Sequence, residues 1–97
     1  MAYSVRFTKR AEGEFATIYR SVSPAVRRNL DGALSRLEDA PFPRQNPGAG
    51  QDVVRQLQGE ERLWRIRIGN YRMAYRIEGE DVTVVRVAHR SEVYRGM

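Results

Sequence analysis

Apolar residues recur along the chain at two periods, and the change from one to the other comes at about Val53. Before it, Tyr3 to Phe7 alternates Tyr, Val and Phe with polar residues, which predicts a short half-buried strand. Thr8 then offers an N-cap hydroxyl, and Ala11, Phe15 and Ile18 fall on one face of a helix running through about Arg20. Gly13 weakens that helix without cancelling it. Ser23-Pro24 marks a second start, with Ser as N-cap and Pro at the first helical position, where its missing N–H has no helical partner to lose. Val26, Leu30, Ala33, Leu34 and Leu37 make the apolar stripe of this second helix. Arg27, Arg28, Asp31 and Arg36 lie off the stripe, where solvation is the ordinary reading and nucleic-acid contact the alternative.

Pro41, Pro43 and Pro47 with Gly48 and Gly50 break the chain between Ala40 and Asp52, because proline blocks helix continuation and restricts the residue before it. A loop within one domain, not a linker, is expected there. From Val53 onward the period is two: Val53 to Gln58, Leu63 to Ile68, Tyr71 to Ile77 and Val82 to His89 read as four strands, largely antiparallel. Gly69-Asn70 suits a tight hairpin because both residues tolerate positive φ, and Glu78 to Asp81 supplies the next turn. The order predicts an α+β fold: an N-terminal strand and two helices packed on one face of a mostly antiparallel four- to five-stranded sheet, one domain over residues 1–97.

Composition narrows the chemistry. Cysteine is absent and the single His has no acidic cluster beside it, so disulfides and thiolate metal sites are excluded, and no metal or other cofactor is expected. No apolar run approaches the roughly 18 residues of a membrane span, and the N-terminus lacks a secretory pattern, so a cytoplasmic protein without membrane contact is expected. Ser/His/Asp, HExxH and phosphate-loop glycine patterns are missing, which disfavours protease, metalloenzyme and P-loop readings.

The net charge of +5 is unevenly spread: residues 1–61 carry net +1 and residues 62–97 net +4. Sixteen of the seventeen cations are Arg, whose planar fork grips phosphate and stacks on bases, although a GC-rich genome also favours Arg codons. Strand alternation puts Trp64, Ile66 and Ile68 opposite Arg65 and Arg67, and Tyr71, Met73, Tyr75 and Ile77 opposite Arg72, Ala74 and Arg76. In the last strand it puts Val85 and Val87 opposite Arg86, Ala88 and Arg90. With helices over the apolar face, the other face carries six arginines, suited to a phosphate backbone, with Tyr94 able to stack on an unpaired base. His89 titrates near neutrality, but alternation places it with Val85 and Val87 on the covered side as a structural residue. A bend or bulge after Val87 would restore it as a base.

The run Leu63-Trp64-Arg65-Ile66-Arg67-Ile68-Gly69-Asn70-Tyr71-Arg72-Met73-Ala74-Tyr75-Arg76-Ile77, followed by Val84-Val85-Arg86-Val87-Ala88-His89-Arg90-Ser91-Glu92-Val93-Tyr94, resembles the RelE branch of the RelE/ParE toxin superfamily. The opening Tyr3 to Thr8 with two helices after it resembles that family too, so the similarity spans nearly the whole chain. It implies a RelE-like, microbial RNase-like fold and a toxin of a type II toxin-antitoxin system. Such a toxin is a ribosome-dependent mRNA endoribonuclease, an mRNA interferase that drives the ribose 2′-OH onto the adjacent phosphate without metal and so inhibits translation. The implied partners are the ribosome with its mRNA and a RelB-like, acidic or amphipathic antitoxin, with DNA reached only through the antitoxin complex.

Carried over by motif, the family's site falls on Arg65 and Arg67 before the turn, Arg72 after it, Arg90 near the end of the last strand, and Tyr94. Arg76 and Arg86 are further RNA-binding positions, and His89 and Glu92 the candidate bases. One departure changes the roles: familiar members carry lysines where Arg65 and Arg67 stand, and Lys can give up its proton after a pKa drop whereas Arg stays charged. The resemblance also admits a ParE-like inhibitor of DNA gyrase, or a catalytically weak toxin acting mainly as antitoxin partner and co-repressor.

Overall fold

A computed structural model describes residues 3–41, 49–50 and 63–92. Strand β1 (Ser4–Phe7) leads into helix α1 (Lys9–Ser21) and helix α2 (Pro24–Asp39), and strands β2 (Ala49–Gly50), β3 (Trp64–Ile68), β4 (Tyr71–Glu78) and β5 (Asp81–His89) follow. They form one five-stranded sheet in the order β1-β5-β4-β3-β2. Only β1 runs parallel to its neighbour, β5, and the other pairs are antiparallel, so the expected α+β architecture holds. β2 lies inside the stretch expected to be loop; its two residues pair with Ile66 and Arg65, a ladder that backbone groups alone can make. The expected strand Val53 to Gln58 lies outside the described residues.

Local chemistry sets the helix ends. The side chains of Thr8 and Ser23 accept from the N–H groups of Ala11 and Val26, each satisfying one donor that a first turn leaves open. Arg27, expected to be solvated, instead folds back over the C-terminus of α1. Its Nε donates to the carbonyl of Tyr19 at 2.8 Å and its guanidinium sits 5.5 Å from that ring's centre. Asp31 accepts from the Tyr19 hydroxyl at 2.9 Å, which together with burial raises that phenol's pKa. The α1–α2 corner is thereby fastened by two residues off the apolar stripe.

The helices lay Ala11, Leu30, Ala33 and Leu37 on a sheet face formed by Ile66, Ile68, Met73, Tyr75, Val82, Val84 and Val87. Each fully buried Leu, Ile or Val side chain in that layer contributes about 1.5–3 kcal/mol. Tyr75, wholly buried, donates its hydroxyl to the carbonyl of Pro41 just after α2, and burial pushes its pKa up. Both hairpins turn on a two-residue loop whose first residue is Gly with positive φ, 59° at Gly69 and 60° at Gly79. Asn70 keeps negative φ, so the first loop follows the Gly-first pattern of a type II′ turn. Among the described residues, no helix is long and apolar enough to cross a membrane.

Candidate nucleic-acid interface

Pairing in the β3–β4 hairpin sets Arg67 directly opposite Arg72 and Arg65 opposite Ala74. Because Trp64, Ile66, Tyr71 and Met73 point to the helices, the three arginines share the other face. Arg67 is exposed, and Arg65 and Arg72 are half-buried. Cross-strand partners sit about 5 Å apart at Cβ, and like charges so placed repel. Arg72 Nη1 donates to the carbonyls of Gly69 and Tyr71, both at 2.8 Å, which aims its guanidinium at the hairpin tip. The hairpin thus brings three guanidinium groups to one face, and guanidinium groups bind carboxylate and phosphate oxygens.

The C-terminal end of β5 reaches the same tip. Arg90 donates its backbone N–H to the carbonyl of Asn70 at 2.8 Å, which brings this exposed arginine beside the turn between Ile68 and Tyr71. Arg72 stands opposite Ala88 of β5, which is buried with Leu63, Ala74 and Val85. Arg76 lies roughly 13 Å further along β4 than Arg72, at about 3.3 Å per residue. It is bound to Glu78 at 3.0 Å, and so stands apart from the cluster.

Arg86 departs from expectation. It is buried, 6% exposed, and its Nε donates to Glu14 Oε2 of α1 at 3.0 Å, so its charge is engaged by a carboxylate instead of being presented to solvent. β5 carries a bulge here: Tyr75 pairs with Val84 while Ala74 pairs with Arg86, leaving Val85 as the extra residue, and Arg86 reaches Glu14 at the edge that β1 leaves after Val84. Val85 consequently packs with Leu63, Ala74 and Ala88, away from the main core where alternation had placed it. The bulge falls before Val87, not after it, so Val87 and His89 do stay on the helix side, opposite Met73 and Tyr71.

His89 is half-buried, with its ring edge-on to Tyr71 at 5.8 Å between centres. The backbone N–H of Ser91 donates to His89 Nδ1 at 3.3 Å, and the Ser91 hydroxyl lies 2.9 Å from the same nitrogen. A backbone N–H can only donate, so Nδ1 is an acceptor and the neutral ring keeps its proton on Nε2. The lone pair that a general base needs is engaged. Glu92, the other candidate base, is exposed in the turn closed by its N–H to the carbonyl of His89 at 2.8 Å. Tyr94 lies outside the described residues. Among the described residues, no group of three His, Asp or Glu side chains is placed to hold a metal ion.

Glu14 escaped notice in the sequence, although a signal was there. Ala11, Glu14, Phe15 and Ile18 fall at the spacing of one helical face, so an acid occupies the apolar stripe of α1 and has to meet a partner on the sheet. That partner is Arg86. Together with Lys9, Arg10, Tyr71 and His89 the pair lines an open groove of about 610 Å³ between α1 and the end of β5.

Comparison with known proteins gives consistent relatives. Residues 5–94 match the family model described as the ParE toxin of the type II toxin-antitoxin system parDE. Toxin RelG of Mycobacterium tuberculosis is 35% identical over 97 residues, covering 98% of this chain and 99% of its own. The archaeal RelE in its RelB complex from Pyrococcus horikoshii OT3 superposes with a TM-score of 0.69 at 22% identity, over 95% of this chain and 99% of that one. An E. coli RelE mutant in complex with a RelBc antitoxin peptide gives 0.58 at 29% identity, over 97% and 92%.

Proposed function

The chain belongs to the RelE/ParE superfamily of type II toxin-antitoxin toxins, and from that premise we propose that it is an endoribonuclease that cuts mRNA on the ribosome. The observation that carries this reading is the Arg65, Arg67 and Arg72 cluster on the β3–β4 hairpin, with Arg90 fastened to its tip through Asn70. In the reaction, the ribose 2′ oxygen bonds to the adjacent phosphorus, the bond to the 5′ oxygen breaks, and that oxygen takes a proton from water, so that a 2′,3′-cyclic phosphate and a 5′-hydroxyl end result. Charge grows on the non-bridging oxygens, and fixed guanidinium groups stabilise that charge without reorganising, a term that often dominates catalysis. Arg65, Arg67 and Arg72 serve the phosphate, Arg90 stands by the leaving 5′ oxygen, and Tyr94 stacks on the nucleotide.

The proton acceptor is a separate matter. His89 has its Nδ1 lone pair committed to Ser91, and arginine does not deprotonate, so the 2′-OH proton goes to Glu92 or to a group of the ribosome. This enzyme is therefore built to stabilise charge more than to remove a proton. The antitoxin complexes of its structural neighbours support a cognate antitoxin, acidic or amphipathic, drawn to the arginine face.

Primer extension on mRNA from induced cells tests the reading. Wild-type expression is expected to arrest growth and leave discrete cuts, and Arg72→Ala or Tyr94→Phe to relieve both. Growth arrest with intact mRNA overturns it. A second reading, a ParE-like gyrase inhibitor, is favoured by the description of the matching family model, and gyrase-linked DNA breaks with an SOS response would select it.

A further inference from the structure

Glu14 ties α1 to two consecutive residues of β5 with one carboxylate. Its Oε1 accepts the backbone N–H of Val87 at 2.9 Å, and its Oε2 accepts from Arg86 Nε at 3.0 Å. Arg86 continues with Nη2 to the carbonyl of Glu92 at 3.4 Å, and the N–H of Glu92 returns to the carbonyl of His89 at 2.8 Å. Strand N–H groups alternate between neighbours, and that of Arg90 bonds toward the β4 side at Asn70, so that of Val87 points to the opposite edge. β1 leaves that edge after Val84, whose carbonyl takes the N–H of Thr8, and the Glu14 side chain then stands where a strand would.

From this geometry we infer that Glu14 is a positioning residue: acting through Arg86, it holds the β5 bulge and the His89–Glu92 turn so that Arg90 meets the Arg67–Arg72 pair. The inference rests on the nuclease reading of that arginine cluster. Arg86 is the one buried charged side chain among the described residues, and a buried ion pair is weak as a source of stability compared with apolar residues of the same volume. What the pair does supply is register. A strand with period two sends every side chain beyond a one-residue slip to the other face, so losing the bulge would turn Arg90 from the cluster toward the helices. The clamp bonds to both residues that follow the extra Val85, and fixes the register where the error would arise.

The test pairs Glu14→Leu with Arg86→Met, which removes both charges and leaves neither buried alone. Melting near wild type and an unchanged half-saturating toxin concentration on programmed ribosomes are expected. The single-turnover cutting rate is expected to fall between about tenfold and 100-fold, the scale of an ångström-sized misplacement. Glu14→Gln, which keeps the shape and an acceptor for Val87, carries the same comparison if the double variant does not fold. Independently of cutting, the Arg90 amide is expected to exchange hydrogen at least about tenfold faster in either variant, while the amides of Tyr75 and Val82 hold their protection. Wild-type cutting rates, or unchanged Arg90 protection, overturn the clamp. A wild-type toxin that cuts nothing overturns the nuclease reading instead, and the exchange measurement then decides the clamp alone.

Discussion

Arg67 and Arg72 face each other directly across the β3–β4 ladder, one residue in from the hairpin tip on each strand. A neutral or opposite-charge pair would serve the sheet better, by about 0.2–1 kcal/mol. Replacing Arg67 by Thr, a good strand former, is therefore expected to leave stability level or raise it by a few tenths of a kcal/mol. The same change is expected to lower cutting about 10²–10³-fold, as for loss of one fixed donor to developing charge. Melting curves and cutting rates on the same preparation check the two opposite movements together, and a stability loss matching the activity loss would refute the assignment.

If three to four arginines contact single-stranded RNA phosphates, the logarithm of binding affinity falls with the logarithm of salt at a slope of about −2 to −3. Removing one contact with Arg72→Ala is expected to make that slope shallower by about 0.7 and to weaken binding alike for all sequences. Arg76→Ala, which breaks the bond to Glu78 away from the cluster, is expected to leave the slope within about 0.2 of wild type. Binding isotherms on an RNA with 2′-deoxy substitution at the cut site give these slopes without turnover.

Gly69 holds φ at 59°, and a Cβ built there meets no atom within 4 Å. The cost of Gly69→Ala is then backbone strain alone, about 1–2 kcal/mol, with no packing contribution. Gly69→Asn is expected to cost less, because Asn tolerates the left-handed region. Urea unfolding of the two variants checks the order. Since the Gly69 carbonyl also receives Arg72 Nη1, cutting is expected to fall further in the Ala variant than in the Asn variant.

Much of this was legible because it depends on period and on a few special residues. Ser23-Pro24, the helical spacing of Leu30, Ala33 and Leu37, and the alternation through Trp64, Ile66 and Ile68 each state a local preference that the packed fold keeps. The face shared by Arg65, Arg67 and Arg72 follows from the same alternation and one two-residue turn. The side taken by Val85 was not legible, because alternation assumes an unbroken ladder and a bulge breaks it there, and the burial of Arg86 was not legible because it depends on Glu14 of α1. No residue type announces a bulge of this kind. It forms where β1 ends and Glu14 takes over the edge, a meeting of segments 72 residues apart in the chain. The same limit applies to His89, whose side was read correctly while its bond to Ser91, which sets the ring tautomer, is a matter of three-dimensional turn geometry.

Tyr75 makes the stability of the fold depend on alkaline pH. Its hydroxyl is buried and donates to Pro41, so the phenolate is disfavoured in the folded chain and the pKa lies above the ordinary 10.0. The folded state then holds the phenolic proton more tightly than the unfolded state, and unfolding releases it once the pH passes the unfolded value. The contribution is complete below pH 10 and is lost progressively as pH rises toward the folded value, at up to about 1.4 kcal/mol per pH unit. Urea unfolding at pH 8, 9, 10 and 11 should therefore show stability falling above pH 10, with this group silent below it. Tyr75→Phe removes the titrating group but leaves the Pro41 carbonyl without its donor, at a cost of about 1–3 kcal/mol at pH 8. Wild type and variant are accordingly expected to converge as the pH rises from 10 to 11. Parallel lines over that interval would mean that the Tyr75 proton is as easily lost folded as unfolded, and that the hydroxyl does not lie in the dry layer between α2 and the sheet.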